Sequence, residues 1–133
     1  MARAILDTNV FVAAGFNPNS ASARLLRRVR DGRMQLIWNE ATRRETRAVL
    51  MRIPMLSWEA VEDLFRPEGQ GPDAALDDMA FVEDPKDRKF AALSLATQVP
   101  LVTADDHLLV HRGRLDVARP SEFLRRQRQA EDT

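Results

Sequence analysis

Cysteine and tyrosine are both missing from this chain, and lysine nearly so. The lack of cysteine excludes disulfides, thiolate zinc sites and cysteine nucleophiles, and leaves the redox compartment open. No apolar run is long enough to span a bilayer. The opening residues, MARAILDTNV, lack the apolar core of a secretory signal, so the expectation is a cytoplasmic protein with no membrane role. No glycine-rich phosphate loop is present, which argues against a nucleotide-binding P-loop. Only Lys86 and Lys89 are lysines, so the basic residues are almost all arginines. Their planar forks suit phosphate better than a lysine ammonium does.

What is there fits one ordinary globular domain. The 133 residues are 44% hydrophobic and 30% charged, enough to bury a core without staples. The expected boundary is a single domain over 1–133, with a frayed tail from about 125. Net charge is zero, but its signs are segregated. Arg24, Arg27, Arg28, Arg30 and Arg33 crowd one stretch, and Arg43, Arg44, Arg47 and Arg52 another. The acids gather between Glu59 and Asp106. Solvated helix faces explain such arginines as well as a nucleic-acid surface does.

Strands are predicted at 3–7, 34–38, 99–103 and 115–118, with a brief one at Phe81–Val82. Helices are predicted from Ser20 or Ser22 to Gly32, from 40 to 52 behind an Asn39 cap, and from Ser57 through Phe65. Three more are expected, from Asp84–Pro85 to about Thr97, at 105–110, and from Pro120 onward. Residues 66–73 read as a loop. Strands alternating with helices imply crossovers and a mostly parallel sheet, whose ligands sit beyond the carboxyl ends of the strands. Asp7 and Asp105 both fall at such ends.

Two further acids have competing readings. Glu45 shares a helical stripe with Ala41, Ala48 and Val49. It either turns inward to a partner or metal, or lies in solvent beside Arg44 or Arg52. Asp84, Pro85 and Asp87 make a good helix start, which suffices for Asp84. For Asp87 a metal role competes, because that first turn points at the same crevice.

Read together, these segments resemble the PIN-domain family. Asp7-Thr8-Asn9-Val10 is similar to its opening motif, Glu45 to its second acid, and Asp84–Leu93 to its third block. Val102–Leu109 is similar to its fourth, and Arg119–Leu124 also fits. The resemblance covers essentially the whole chain and is nearest to VapC-like toxins of bacterial toxin–antitoxin pairs. It implies a three-layer α/β/α fold with a 3-2-1-4-5 sheet and a metal-dependent endoribonuclease that hydrolyses RNA with Mg²⁺ or Mn²⁺. Asp7, Glu45, Asp87 and Asp105 carry over as the catalytic acids, with Asp7, Asp87 and Asp105 as metal ligands. Thr8, Asn9 and Thr103 carry over as supporting or substrate-positioning residues. A cognate antitoxin and a homodimer are the implied protein partners. His107 stands where the family often has a further acid, which leaves open whether one metal or two are held.

The chemistry is coherent, since hard divalent cations want oxygen ligands and converging carboxylates repel one another without them. Rival readings fit less well. A phosphoacceptor receiver domain wants an acidic pair after the first strand and a late lysine, and this chain has neither. His107 and His111 lack the further ligands of a zinc site. A PIN-like module that binds RNA or a partner without cutting is the alternative function.

Overall fold

The structure is a computed structural model, and it describes residues 1–131. Its elements are β1 (Ala2–Leu6), α1 (Thr8–Phe16), α2 (Ala21–Arg30), β2 (Met34–Leu36), α3 (Glu40–Arg52), α4 (Arg88–Thr97), β3 (Leu101–Val102), α5 (Asp106–Leu109), β4 (Val117–Ala118) and α6 (Pro120–Glu131). The four strands are all parallel, in the order β2-β1-β3-β4.

Alternation along β1 builds the three layers. Ala4 and Leu6 face a core shared with Leu25, Val29, Leu50 and Phe123, from α2, α3 and α6. Ile5 faces the other way, into a core of Phe90, Leu93, Leu101, Leu108 and Val117. Each face of the sheet is thereby covered, as a parallel sheet requires.

Local signals set several boundaries. Ser20 caps α2 by accepting from the Ala23 N–H at 3.1 Å, and Gly32, at φ +78°, turns the chain toward β2. Asn39 and Thr42 form a reciprocal capping box at the start of α3.

Four expectations need correction. Residues 8–16 form a helix directly after β1, where no element is predicted. Phe81–Val82 is not a strand but part of a run of turns, with Val82 buried and its carbonyl taken by Arg88 Nε at 2.8 Å. The sheet is therefore the expected order without its outermost member. In that member's place Gln70 makes a single parallel bridge to Trp38 beyond the end of β2. The helix expected from Ser57 through Phe65 is a set of turns ending in a short 3-10 helix, Glu62–Leu64. Finally, α4 begins at Arg88 rather than at Pro85. Asp84 accepts from the Lys86 N–H at 2.9 Å and so caps a separate turn.

The Gln70 bridge depends on close approach. A Cβ on Gly69 would sit 2.1 Å from the Leu36 carbonyl oxygen, a backbone atom that cannot swing aside. Gly69→Ala should therefore destabilise the chain by about 1–3 kcal/mol. Urea unfolding at constant m-value measures this.

Candidate active site

Asp7 follows the last residue of β1, and its N–H is held by the Val102 carbonyl of β3 at 3.0 Å. Its carboxylate is buried, 2% exposed, and Oδ2 accepts from Thr103 Oγ1 at 2.8 Å. The same Thr103 oxygen accepts from the Asp105 N–H at 3.0 Å. Thr103 is fully buried, so it ties two acids together rather than touching anything from outside. Asp105 then caps α5, accepting from the His107 N–H at 2.9 Å.

The helix α3 brings Glu45 to the same place. Thr8 at the start of α1 and Thr46 share a buried hydroxyl hydrogen bond of 2.9 Å, which pins α3 beside the end of β1. Glu45 pairs with Lys89 at 3.6 Å, not with Arg44 or Arg52, and its side chain is 17% exposed. Asp87 sits just ahead of α4, buried, with Oδ2 lacking any donor among the described residues.

Asp7, Thr8, Asn9, Glu45, Asp87 and Asp105 line one cavity of about 210 Å³, together with Asp84, Lys86, Val49 and Phe90. All four expected acids are thus brought together. Asp84, read first as a helix cap, also lines the cavity. The chain's two lysines both fall here as well, Lys86 in the lining and Lys89 on Glu45. Their rarity in an arginine-rich chain was the one signal for them. Thr46 had none, because its role depends on the packing of α1 against α3.

His107 does not line this cavity. It is exposed, with Nδ1 3.4 Å from Glu83 Oε2. His111 packs edge-on against Phe81, so the two histidines form no joint site. The arginines of α2 and α3 do not line the cavity either. Arg43 is spent on Glu62 and the face of Trp58, and Arg30 on Asp63. Arg24, Arg27 and Arg28 line a different cavity altogether.

Burial raises the Asp7 carboxyl above the usual carboxylate range, against the pull of the Thr103 hydroxyl, with the Asp105 charge adding to the rise. Burial, then the charge on Asp7, then its contact with the Asp105 carboxyl push Asp87 up to about 7. As placed, no three His, Asp or Glu side chains among the described residues are gathered closely enough to hold a metal ion. The chemistry of the donors nevertheless fits a hard divalent cation. They are all oxygen, they repel one another, and the Asp87 Oδ2 atom is buried without a partner.

Among the described residues no helix is long and apolar enough to cross a membrane. No curated protein and no solved structure gives a significant match to the chain. A sequence model of the PIN domain matches residues 3–107, a span that contains all four acids, β2, β3 and all but the first residue of β1. The chain belongs to the PIN-domain family, whose members are generally nucleases acting on nucleic acids and typically using divalent metals.

Proposed function

We propose that this chain is a metal-dependent endoribonuclease and that the carboxylate cavity is its active site. The observation that carries the reading is the convergence of Asp7, Glu45, Asp87 and Asp105, from four separate elements, on one cavity with a donorless carboxylate oxygen. Asp7, Asp87 and Asp105 would hold Mg²⁺ or Mn²⁺, with Glu45 facing them from α3. A divalent cation there supplies positive charge to a phosphodiester and makes water a stronger nucleophile near neutral pH. Thr103 keeps Asp7 and Asp105 in register, and the start of α1 aims its first N–H groups at Asp7. Lys86 and Lys89 supply the protein's own positive charge at the rim, where a phosphate or a leaving oxygen is steadied. Asn9, exposed on the lining, is placed to hydrogen-bond the strand being cut.

The test is incubation of purified chain with single-stranded RNA, and with DNA of the same sequence, in Mg²⁺, in Mn²⁺ and in chelator. Internal cleavage of RNA in metal and none in chelator is the expected outcome. RNA bound in metal but left intact would favour the alternative, a PIN-like binding module without cleavage.

The finer reading is that the chain is the toxin of a toxin–antitoxin pair, held by a cognate antitoxin. A cavity of about 380 Å³ between α1, α2 and the segment after α3 is lined by Phe11, Leu26, Leu50, Leu56 and Met55. Met55 is 81% exposed and nearby Met51 61%, whereas Trp58 is buried. Arg27 lines this groove, so two copies set face to face would oppose like charges. An amphipathic helix with acidic flanks fits better than a second protomer. Growth arrest on expression of the chain, relieved by co-expression of the product of an adjacent short gene, is the expected result. Unimpaired growth would sink the toxin reading without touching the nuclease one.

A further inference from the structure

The arginines of α2 form a site of their own. Arg24, Arg27 and Arg28, with Arg33 just beyond the helix, line a cavity of about 300 Å³ together with Arg128 of α6. Topology puts it on the far side of the molecule. Both helices run back from the carboxyl edge of a parallel sheet, α2 toward the start of β2 and α6 after β4. Their last turns therefore lie at the amino edge, opposite the carboxylate cavity.

Arg28 is the centre of the site. Its side chain is only 11% exposed, and its Nε is buried with no acceptor among the described residues. One nitrogen of its fork is held by the carboxylate of Glu131, near the end of α6. A guanidinium with one nitrogen on an acid and a second buried donor idle suits an oxyanion that presents two oxygens at once. Arg24, Arg33 and Arg128 have no ion pair or side-chain hydrogen bond among the described residues, and Asp31 is the sole acid in the lining.

We propose that this α2–α6 groove binds the phosphodiester backbone of a nucleic-acid strand, as a second contact apart from the cleavage cavity, and that Glu131 competes with phosphate for Arg28. The identification of the strand as RNA rests on the ribonuclease reading; the phosphate site does not. A protein partner is disfavoured because the one apolar residue of the lining, Leu124, is already buried in the core. Such a groove offers charge but no apolar anchor, which is what a phosphate backbone needs and an interface core does not.

The experiment is fluorescence anisotropy of labelled single-stranded RNA in chelator over a range of salt. It uses the full chain, Arg24→Gln/Arg128→Gln, Arg28→Gln and Glu131→Gln. The double variant should bind roughly tenfold more weakly at low salt, with its salt slope reduced by about 0.7 for each phosphate no longer neutralised. Glu131→Gln should bind more tightly. Cleavage of an oligonucleotide too short to reach the groove should be unchanged in the double variant. Arg28 is buried and its loss can unfold the chain, so the double variant, with a melting temperature matching wild type, decides. An unchanged affinity and slope in that variant overturns the site. Displacement of RNA by polyglutamate as readily as by polyphosphate also overturns it, since the groove would then not distinguish phosphate. Should the chain bind RNA with the predicted slope and cut nothing, the nuclease reading falls and the groove stands.

Discussion

Asp87→Asn is expected to lose RNA cleavage by more than ~100-fold, beyond the 10–100-fold typical of groups that only support a metal ligand. In chelator at neutral pH the same variant should melt higher than wild type. Asp87 Oδ2 is buried without a donor, and the carboxyl lies against Asp7 and Asp105. An amide at that position donates to Asp105 and carries no charge, so repulsion and the unmet hydrogen bond vanish together. The gain is about 1–3 kcal/mol, the usual cost of a buried unsatisfied polar group. Asp7→Asn should show the same loss of activity with a smaller gain, because Asp7 already accepts from Thr103. This opposition of activity and stability marks a site kept for chemistry. A drop in melting temperature with cleavage retained would make Asp87 a structural residue. Thermal melts in chelator beside a cleavage assay give the answer.

The metal-free protein should lose stability as pH rises from about 4 to about 7. The unfolded carboxyl titrates at 3.8, while Asp87 in the fold titrates at about 7 and Asp7 is also raised. Between those limits the folded state holds more protons than the unfolded one, so each unit of pH removes stability, at most about 1.4 kcal/mol per proton of difference. Below pH 4 the acids are neutral in both states and the penalty is absent. Above 7 the part of the penalty due to Asp87 is complete. Saturating Mg²⁺ or Mn²⁺ should remove the decline at its upper end, since a ligand bound only by the folded state adds about 2.7 kcal/mol at a hundred times its dissociation constant. Denaturant melts across pH, with metal and with chelator, measure both arms. A profile that rises through this window without metal would mean the acids are individually satisfied in the fold.

How far the sequence revealed this arrangement varied with the kind of signal. Asp7 and Asp105 were legible because each follows a short apolar run, and a parallel sheet sends such positions to one edge. Glu45 could not be placed from helical periodicity, since its stripe of small residues permits either face. Lys89 and the Thr8–Thr46 hydrogen bond set its direction, and both are tertiary facts. Helix α1 is not legible, because Val10, Phe11 and Val12 continue the apolar character of β1 and Asp7, the residue ahead of the helix, makes no side-chain cap hydrogen bond. The run 57–65 has apolar residues at helical spacing, but it lies between Pro54 and Pro67 and buries Trp58 and Leu64 through turns instead. Asp84 and Asp87 were read as one helix start. They divide the work, one closing a turn on Lys86 and the other keeping a buried oxygen without a partner at the cavity of acids. The arginines of α2 are legible in the sequence only as a cluster of charge, and charge does not say which edge of the sheet a helix end reaches.

Whether these carboxylates hold a divalent cation is tested most directly by Mn²⁺ calorimetry. Titrations at pH 6.5 and pH 8.5, each in two buffers of different ionisation enthalpy, separate metal binding from proton release. Asp87, raised to about 7, should give up a proton on binding at the lower pH and almost none at the higher, and Asp87→Asn should bind far more weakly and release none from that position. Equal Mn²⁺ affinity in wild type and Asp87→Asn, or no binding to folded wild type, would contradict a metal role for these acids.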